Sequence, residues 1–308
     1  MRLFCKLLIF LYFCGCDNQT TSTIETDCGV PSFLMVTDLE RTSNNIIFAA
    51  TSNGILISED SGSTWCPANF NSSGIISIQI DSRDVVFVAT EDSGVWMSRN
   101  LGQDWDNISS TSSIGEISAM VINDQDQLLV GTLYGDLYIS IPTNNAFEWY
   151  LSERFVGWIE VIAFGGDNFY VATDWDFYRT TNLGASWEVL GNHFETTKAI
   201  VVINKDTLVA ANEFGLTVST DGADWDHPRT NWGFGLYVMR ADNGALYGSV
   251  NRYGSNIFFK STNSGITWDS LATFNSEVRT ILEDRHGDLI VGTRNGIFKS
   301  VDRGCSWH

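Results

Sequence analysis

Ser58-Glu59-Asp60-Ser61-Gly62-Ser63-Thr64-Trp65 is a short polar turn closed by a large aromatic ring, and the chain repeats it. Copies stand at residues 98–105, 180–187, 261–268 and 300–307, with a shorter one at 219–225 and a degenerate one, carrying Pro142 and no Asp, at 140–149. The closing tryptophans at 65, 105, 149, 187, 225, 268 and 307 lie 40, 44, 38, 38, 43 and 39 residues apart. Seven units of one period point to a radial repeat rather than to two unrelated domains.

Each unit has the same interior. An apolar run such as residues 46–51 is followed by a tight turn, a second run at 54–58 and then the polar turn. The pattern returns at 85–90 with 94–98 and at 289–293 with 296–300, and a further apolar segment precedes each pair, as at 75–80, 117–122 and 278–282. The Trp opens a fourth segment. Four short strands per 40 residues describe one blade of a β-propeller, so the expected fold is all-β, a single seven-bladed propeller of four-stranded blades over residues 31–308.

Composition agrees. Of 308 residues, 44% are hydrophobic and only 18% charged, with 27 Gly, 11 Trp and 13% aromatic rings, a mixture suited to pleated strands and turns rather than helices. The 18 basic residues face 37 acidic ones, for a net charge of −19. Such a chain repels a phosphate backbone, and no nucleic-acid partner is expected.

The motif S-x-D-x-G-x-T-W resembles the Asp-box, or BNR, repeat of sialidases, Asp-box glycoside hydrolases, sortilin-type receptors and photosystem II assembly factors. The likeness extends over residues 33–308, and the last unit is also similar to the propeller repeats of two-component sensor ectodomains. Its chemistry is that of a self-contained turn: Asp60 accepts N–H groups within the turn, Gly62 supplies a positive φ, Thr64 bonds locally and Trp65 buries its ring. Asn100, Asn182 and Asn263 replace the Asp ahead of Trp105, Trp187 and Trp268, while Asp221 and Asp302 keep it ahead of Trp225 and Trp307. Asn makes the same bonds without charge, and a feature present in every blade builds the fold rather than a catalytic site. Trp96 takes the third-strand position that Leu56 and Phe298 fill elsewhere.

The first residues read as an address. Arg2 and Lys6 accompany a short apolar run at 7–13, too brief to span a bilayer. The run stops at Gly15-Cys16, which resembles a bacterial lipoprotein signal: residues 1–15 would be removed, Cys16 lipidated and residues 16–30 left as a polar tether. Plain secretion is the alternative. A cell-envelope location follows, with the membrane touched through the anchor alone.

Cys28, Cys66 and Cys305 then remain in an oxidising compartment, with no metal-ligand spacing among them. The chain stops one residue after the seventh Trp, so the last blade lacks an outer strand. If residues 21–30 supplied it, as propellers often arrange, the ring would be closed by an N-terminal strand and Cys28 would pair with Cys305. Cys66 is the competing partner.

Function is expected on the face opposite the boxes. Turns between second and third strands carry Tyr134, Trp175, Phe214 and Tyr253 beside Asp174, Asp176, Glu213 and Arg252. Inter-blade loops carry Arg154, Phe155, Trp158, His193, Phe194, Glu195, Trp232 and Phe234. The equivalent turns of blades one, two and seven hold Asn53, Glu91, Asp92, Ser93, Arg294 and Asn295, without an aromatic. Rings beside carboxylates and amides on blades three to six suit a glycan or a protein partner; packing of loop on loop is the plain alternative.

A glycoside hydrolase is the rival. The resemblance to sialidases is confined to the repeats, because the F/Y-R-I-P segment is absent: Arg41 precedes Thr42-Ser43, and Arg154, Arg252 and Arg294 are scattered. Asp174 or Asp176 with Glu195 or Glu213 would be the acid/base pair. Asp124 with Asp126, and Asp174 with Asp176, offer oxygen ligands for calcium, but neither continues into a ligand loop. No metal or cofactor is expected, and the protein is expected to be a monomer.

Overall fold

A computed structural model describes residues 34–70, 72–109, 114–143, 147–165, 168–192, 196–226 and 233–308. Their strands form seven antiparallel sheets, each built in chain order from an inner to an outer strand. The inner strands are Val36–Arg41, Ile75–Ile80, Ile117–Ile122, Ile159–Gly165, Thr197–Val202, Phe234–Arg240 and Val278–Glu283. Each touches the next, and Val36–Arg41 touches Val278–Glu283, so the ring closes as a seven-bladed propeller. Cys16 and the tether lie outside the described residues, as does the expected closing strand at 21–30. Among the described residues no helix is long and apolar enough to cross a membrane.

The second strands explain the apolar runs. Ile47–Thr51, Val86–Thr90, Leu128–Thr132, Leu208–Asn212 and Leu289–Thr293 are buried at all five positions. A strand covered by a sheet on both faces has no solvent side, and so its sequence does not alternate.

Six sheets have four strands, although in blades one, two and five the fourth is a two-residue bridge. The seventh has three, completed by a reciprocal 2.9 Å pair of backbone bonds between His308 and Lys299.

The box tryptophans hold the ring together. Each sits in a core cluster that its own blade shares with the preceding one: Trp105 with that of Phe48, Trp187 with that of Ile139, Trp225 with that of Tyr170, Trp268 with that of Val209 and Trp307 with that of Phe258. Trp149 does the same without a box, donating its indole N–H to Ile108 O at 3.1 Å. Trp65 packs with Ile290 and Ile297, so the first box closes the ring onto blade seven.

Within the box, Asp60 Oδ1 accepts the Ser58 hydroxyl and the N–H groups of Ser63 and Thr64 at 2.8 to 3.0 Å, and Oδ2 accepts the Thr64 hydroxyl at 2.7 Å. Asp302 repeats the set. Burial favours the neutral acid, but these donors outweigh it and hold both carboxyls below the usual range. Asn182 and Asn263 accept the same N–H and hydroxyl, and each uses its amide to donate onward to Ser186 or Thr267. Asn100 donates to the Asp104 carboxylate instead. The turn also needs a second left-handed residue ahead of the glycine: Ser61, Leu101, Leu183, Ser264 and Arg303 all have φ between 55° and 61°.

Cys66, at the start of the first blade's fourth strand, is disulfide-bonded. The expected pairing of Cys28 with Cys305 turns on Cys28, which lies outside the described residues. Cys305 occupies a position inside the last box, where its N–H is held by Asp302 at 2.9 Å.

Candidate functional site

Inner strands begin, and second strands end, on the face opposite the boxes. There the buried Thr at the end of the second strand folds the next turn: Thr51, Thr90, Thr173 and Thr293 donate to the carbonyls of Gly54, Gly94, Asp176 and Gly296 at 2.7 to 3.1 Å. In blade five Asn212 takes over, accepting the Phe214 N–H at 3.0 Å. The polar atom at the base of each turn leaves the tip residue outward.

Those tips are Tyr134, Trp175, Phe214 and Tyr253, exposed by 64%, 58%, 49% and 86%, with Trp158 at 49% on an adjoining loop and Phe234 at 44% at the start of an inner strand. Tyr150 is the one other exposed Phe, Tyr or Trp among the described residues, so exposed rings concentrate on this rim. Arg252 is half-buried beside Tyr253.

Trp158 and Trp175 are brought together by Asp174. Its Oδ1 accepts the Trp158 N–H at 2.8 Å, and its own N–H reaches Trp158 O at 3.2 Å. Gly157 is required between them, since a Cβ there would stand 2.0 Å from Asp174 Oδ1 and 2.5 Å from Trp175 Cδ1. Tyr134 lies close to Gly115, where an added Cβ would stand 3.2 Å from Tyr134 Cδ2. Beside it Arg154 forms a two-point ion pair with Asp136.

Three of the carboxylates expected for acid/base work, Asp174, Asp176 and Glu213, are hydrogen-bonded within the rim. Glu213 accepts the Thr196 N–H at 3.2 Å, as Asp174 does for Trp158, and Asp176 accepts the Tyr178 hydroxyl at 3.3 Å. Burial first, and then Asp176, pushes the Tyr178 phenol up. Asp126 is occupied by the N–H and hydroxyl of Ser82, on the box face. Among the described residues no three His, Cys, Asp or Glu side chains converge as metal ligands.

One expectation fails. Phe155 is buried, packed against Tyr178 and Trp187 with ring centroids 4.5 and 5.1 Å away, because the loop turns inward before Gly157 and fills the gap between blades. His193, Phe194, Glu195 and Trp232 lie outside the described residues.

Sequence reasoning missed the central channel. Every inner strand carries a one-residue bulge near its rim end. The extra residues, Thr37, Ile76, Ser118, Glu160, Lys198, Leu236 and Arg279, all line the channel. Deeper in, burial pushes Asp38 up to about 6 and Glu40 up to about 8, with the Asp38 charge adding to the second. The available signal was an alignment of the repeats, in which Asp38 and Glu40 interrupt a strand that reads IISIQI and ISAMVI in the next two blades.

No family model and no curated protein matches the chain. Solved structures do. YCF48 from Cyanidioschyzon merolae superposes with a TM-score of 0.70 at 17% identity, over 87% of this chain and 95% of that one. The GH74 xyloglucanase from Xanthomonas campestris gives 0.72 at 13% identity, over 92% of this chain and 54% of that one. An extracellular domain from B. thetaiotaomicron, assigned to a hybrid two component system, gives 0.70 at 15% identity, over 92% of this chain and 40% of that one. At these identities the likeness is one of fold: an all-β, seven-bladed propeller.

Proposed function

We propose that the protein is a non-catalytic binding or assembly module that holds a glycan or protein partner on the rim of blades three to six. The observation that carries this reading is the concentration of exposed rings there, from Tyr134 to Tyr253, with Trp158 and Trp175 braced side by side through Asp174. Rigid aromatic surface offers large contact area at low conformational cost, and patches of it on a soluble protein serve recognition. Trp232 and Arg252 belong to the same surface in this reading. The binding module stands ahead of a glycoside hydrolase because Asp174, Asp176 and Glu213 are engaged as braces. Export and anchoring through Cys16 complete the proposal; they rest on the first 16 residues, and the likeness to an extracellular domain is consistent with export.

The test is direct titration of the purified chain, and of a Trp158→Ala/Trp175→Ala variant, against a glycan panel and against fractionated envelope proteins. Saturable binding that the double variant loses while keeping its melting temperature supports the module. Release of reducing ends from any glycan, abolished in Asp174→Asn, would establish the hydrolase instead.

A further inference from the structure

The seven bulge residues surround the rim-side mouth of a channel cavity of about 560 Å³. A second cavity of about 500 Å³ enters from the box face, and the two meet at Glu40 and Tyr237. A bulge at the same register of every blade re-aims one side chain per blade into this layer, which is how strands shape a site.

The cavity has two unlike walls. Blades three to five present Met120, Val161, Ile162 and Ile200, with no ionised group below the mouth. Blades one, two and six present Asp38, Glu40, Ser77 and Tyr237. At the mouth the carboxylates already have cations, Glu160 with Lys198 at 3.7 Å and Glu277 with Arg294 at 3.2 Å and Arg279 at 4.0 Å. Arg41, the cation next in sequence to Glu40, is drawn away to Glu283 O at 2.9 Å and Asp242 at 3.1 Å. Among the described residues no ion pair therefore reaches Asp38 or Glu40. Ser118 Oγ, buried in the opposite wall, makes no hydrogen bond within the protein.

We infer that this cavity binds a small organic cation, its ammonium group seated between Asp38 and Glu40 and its hydrocarbon body against the wall of blades three to five. The volume is that of a small-molecule site, apolar with a few convergent polar groups. A bound ammonium supplies the counter-charge with which these two carboxyls can ionise, and the net charge of −19 concentrates cations around the entrance. A bare divalent ion fits less well, since it needs six or more oxygen ligands and the wall of blades three to five offers only the Ser118 hydroxyl and the already paired Glu160. The site is separate from the aromatic rim and stands or falls without it.

Isothermal titration of the full chain with hexylammonium chloride tests the inference, with 1-hexanol, tetramethylammonium chloride and calcium chloride as matched controls. Hexylammonium is expected to bind saturably at one per chain. Glu40→Gln is expected to weaken it at least tenfold, and Val161→Phe, which fills the cavity from the apolar side without touching a carboxylate, to abolish it. Trp175→Ala is expected to leave it unchanged, so a failed rim and a failed channel are told apart. Absence of saturable binding, equal binding of hexanol or calcium, or undiminished affinity in either channel variant overturns the site.

Discussion

Asp38 Oδ2 accepts the backbone N–H of Ile78 at 2.9 Å, so a carboxyl of blade one is bonded into the inner strand of blade two. The same group takes the Ser77 hydroxyl at 2.9 Å and, on its other oxygen, the Thr280 hydroxyl of blade seven at 3.5 Å. One side chain thus ties three consecutive blades across the point where the ring closes.

Stability should therefore depend on pH through the channel. Burial raises Asp38 from 3.8 to about 6 and Glu40 from 4.5 to about 8, so both bind protons more tightly in the folded chain. Their stabilising contribution is complete below the unfolded values and is lost as pH rises through the folded ones, on the order of a few kcal/mol between pH 5 and pH 9. Repulsion within so acidic a chain acts in the same direction, and the comparison with Glu40→Gln isolates the channel. The wild type should melt progressively lower from pH 5 to pH 9, while the variant should show a smaller decline and be the more stable of the two at pH 9. Parallel melting curves would assign the whole effect to net charge.

The boxes contain their own control. Asp60 accepts four hydrogen bonds, while Asn182 and Asn263 serve elsewhere with an amide. Asp60→Asn should cost less than about 1 kcal/mol and Asp60→Ala about 2 kcal/mol, since alanine leaves the Ser63 and Thr64 N–H groups to water. Chemical denaturation measures both; equal losses would mean that the charge, not the acceptor geometry, matters.

On the rim, Gly157→Ala should act as a binding lesion without removing a ring. Its Cβ would meet Asp174 Oδ1 at 2.0 Å and Trp175 Cδ1 at 2.5 Å, and Gly157 has φ +85°. Trp175 and the Asp174 brace must both move, so partner affinity should fall as far as in Trp175→Ala. Retained affinity would show that the tryptophans need not be held together.

The period was legible because the box repeats both its polar atoms and its closing Trp, and blade boundaries follow from those alone. The packing of each Trp at the interface with the preceding blade was not, since a ring's partner across a sheet interface leaves no mark in its own repeat. Nor were the bulges. One inserted residue in a strand that does not strictly alternate leaves no visible break, and the extra residues range from Leu236 to Lys198. Tyr134, Trp175 and Tyr253 were readable as outward because a turn of two or three residues has no room to hide a ring. Phe155, in a longer loop, had that room and took it.

Ring closure makes the last prediction. Gly62 has φ +82°, and a Cβ there would lie 2.9 Å from Ile290 Cδ1 and 3.3 Å from its Cγ1, in the fully buried second strand of blade seven. Gly62→Ala should destabilise by about 2 kcal/mol or more, combining left-handed strain with overpacking. Ile290→Val removes the Cδ1 methyl that is struck first, at a cost of about 1 kcal/mol on its own. In the double variant the strain remains but the clash is relieved, so its loss should fall short of the sum of the two single losses by about 1 kcal/mol. Gly244→Ala supplies the reference for strain alone, having φ +82° and no atom within 4 Å. A double-mutant cycle that adds fully, or a Gly62→Ala loss no larger than that of Gly244→Ala, would mean that the first box does not bear on blade seven and that the ring closes through the inner strands alone.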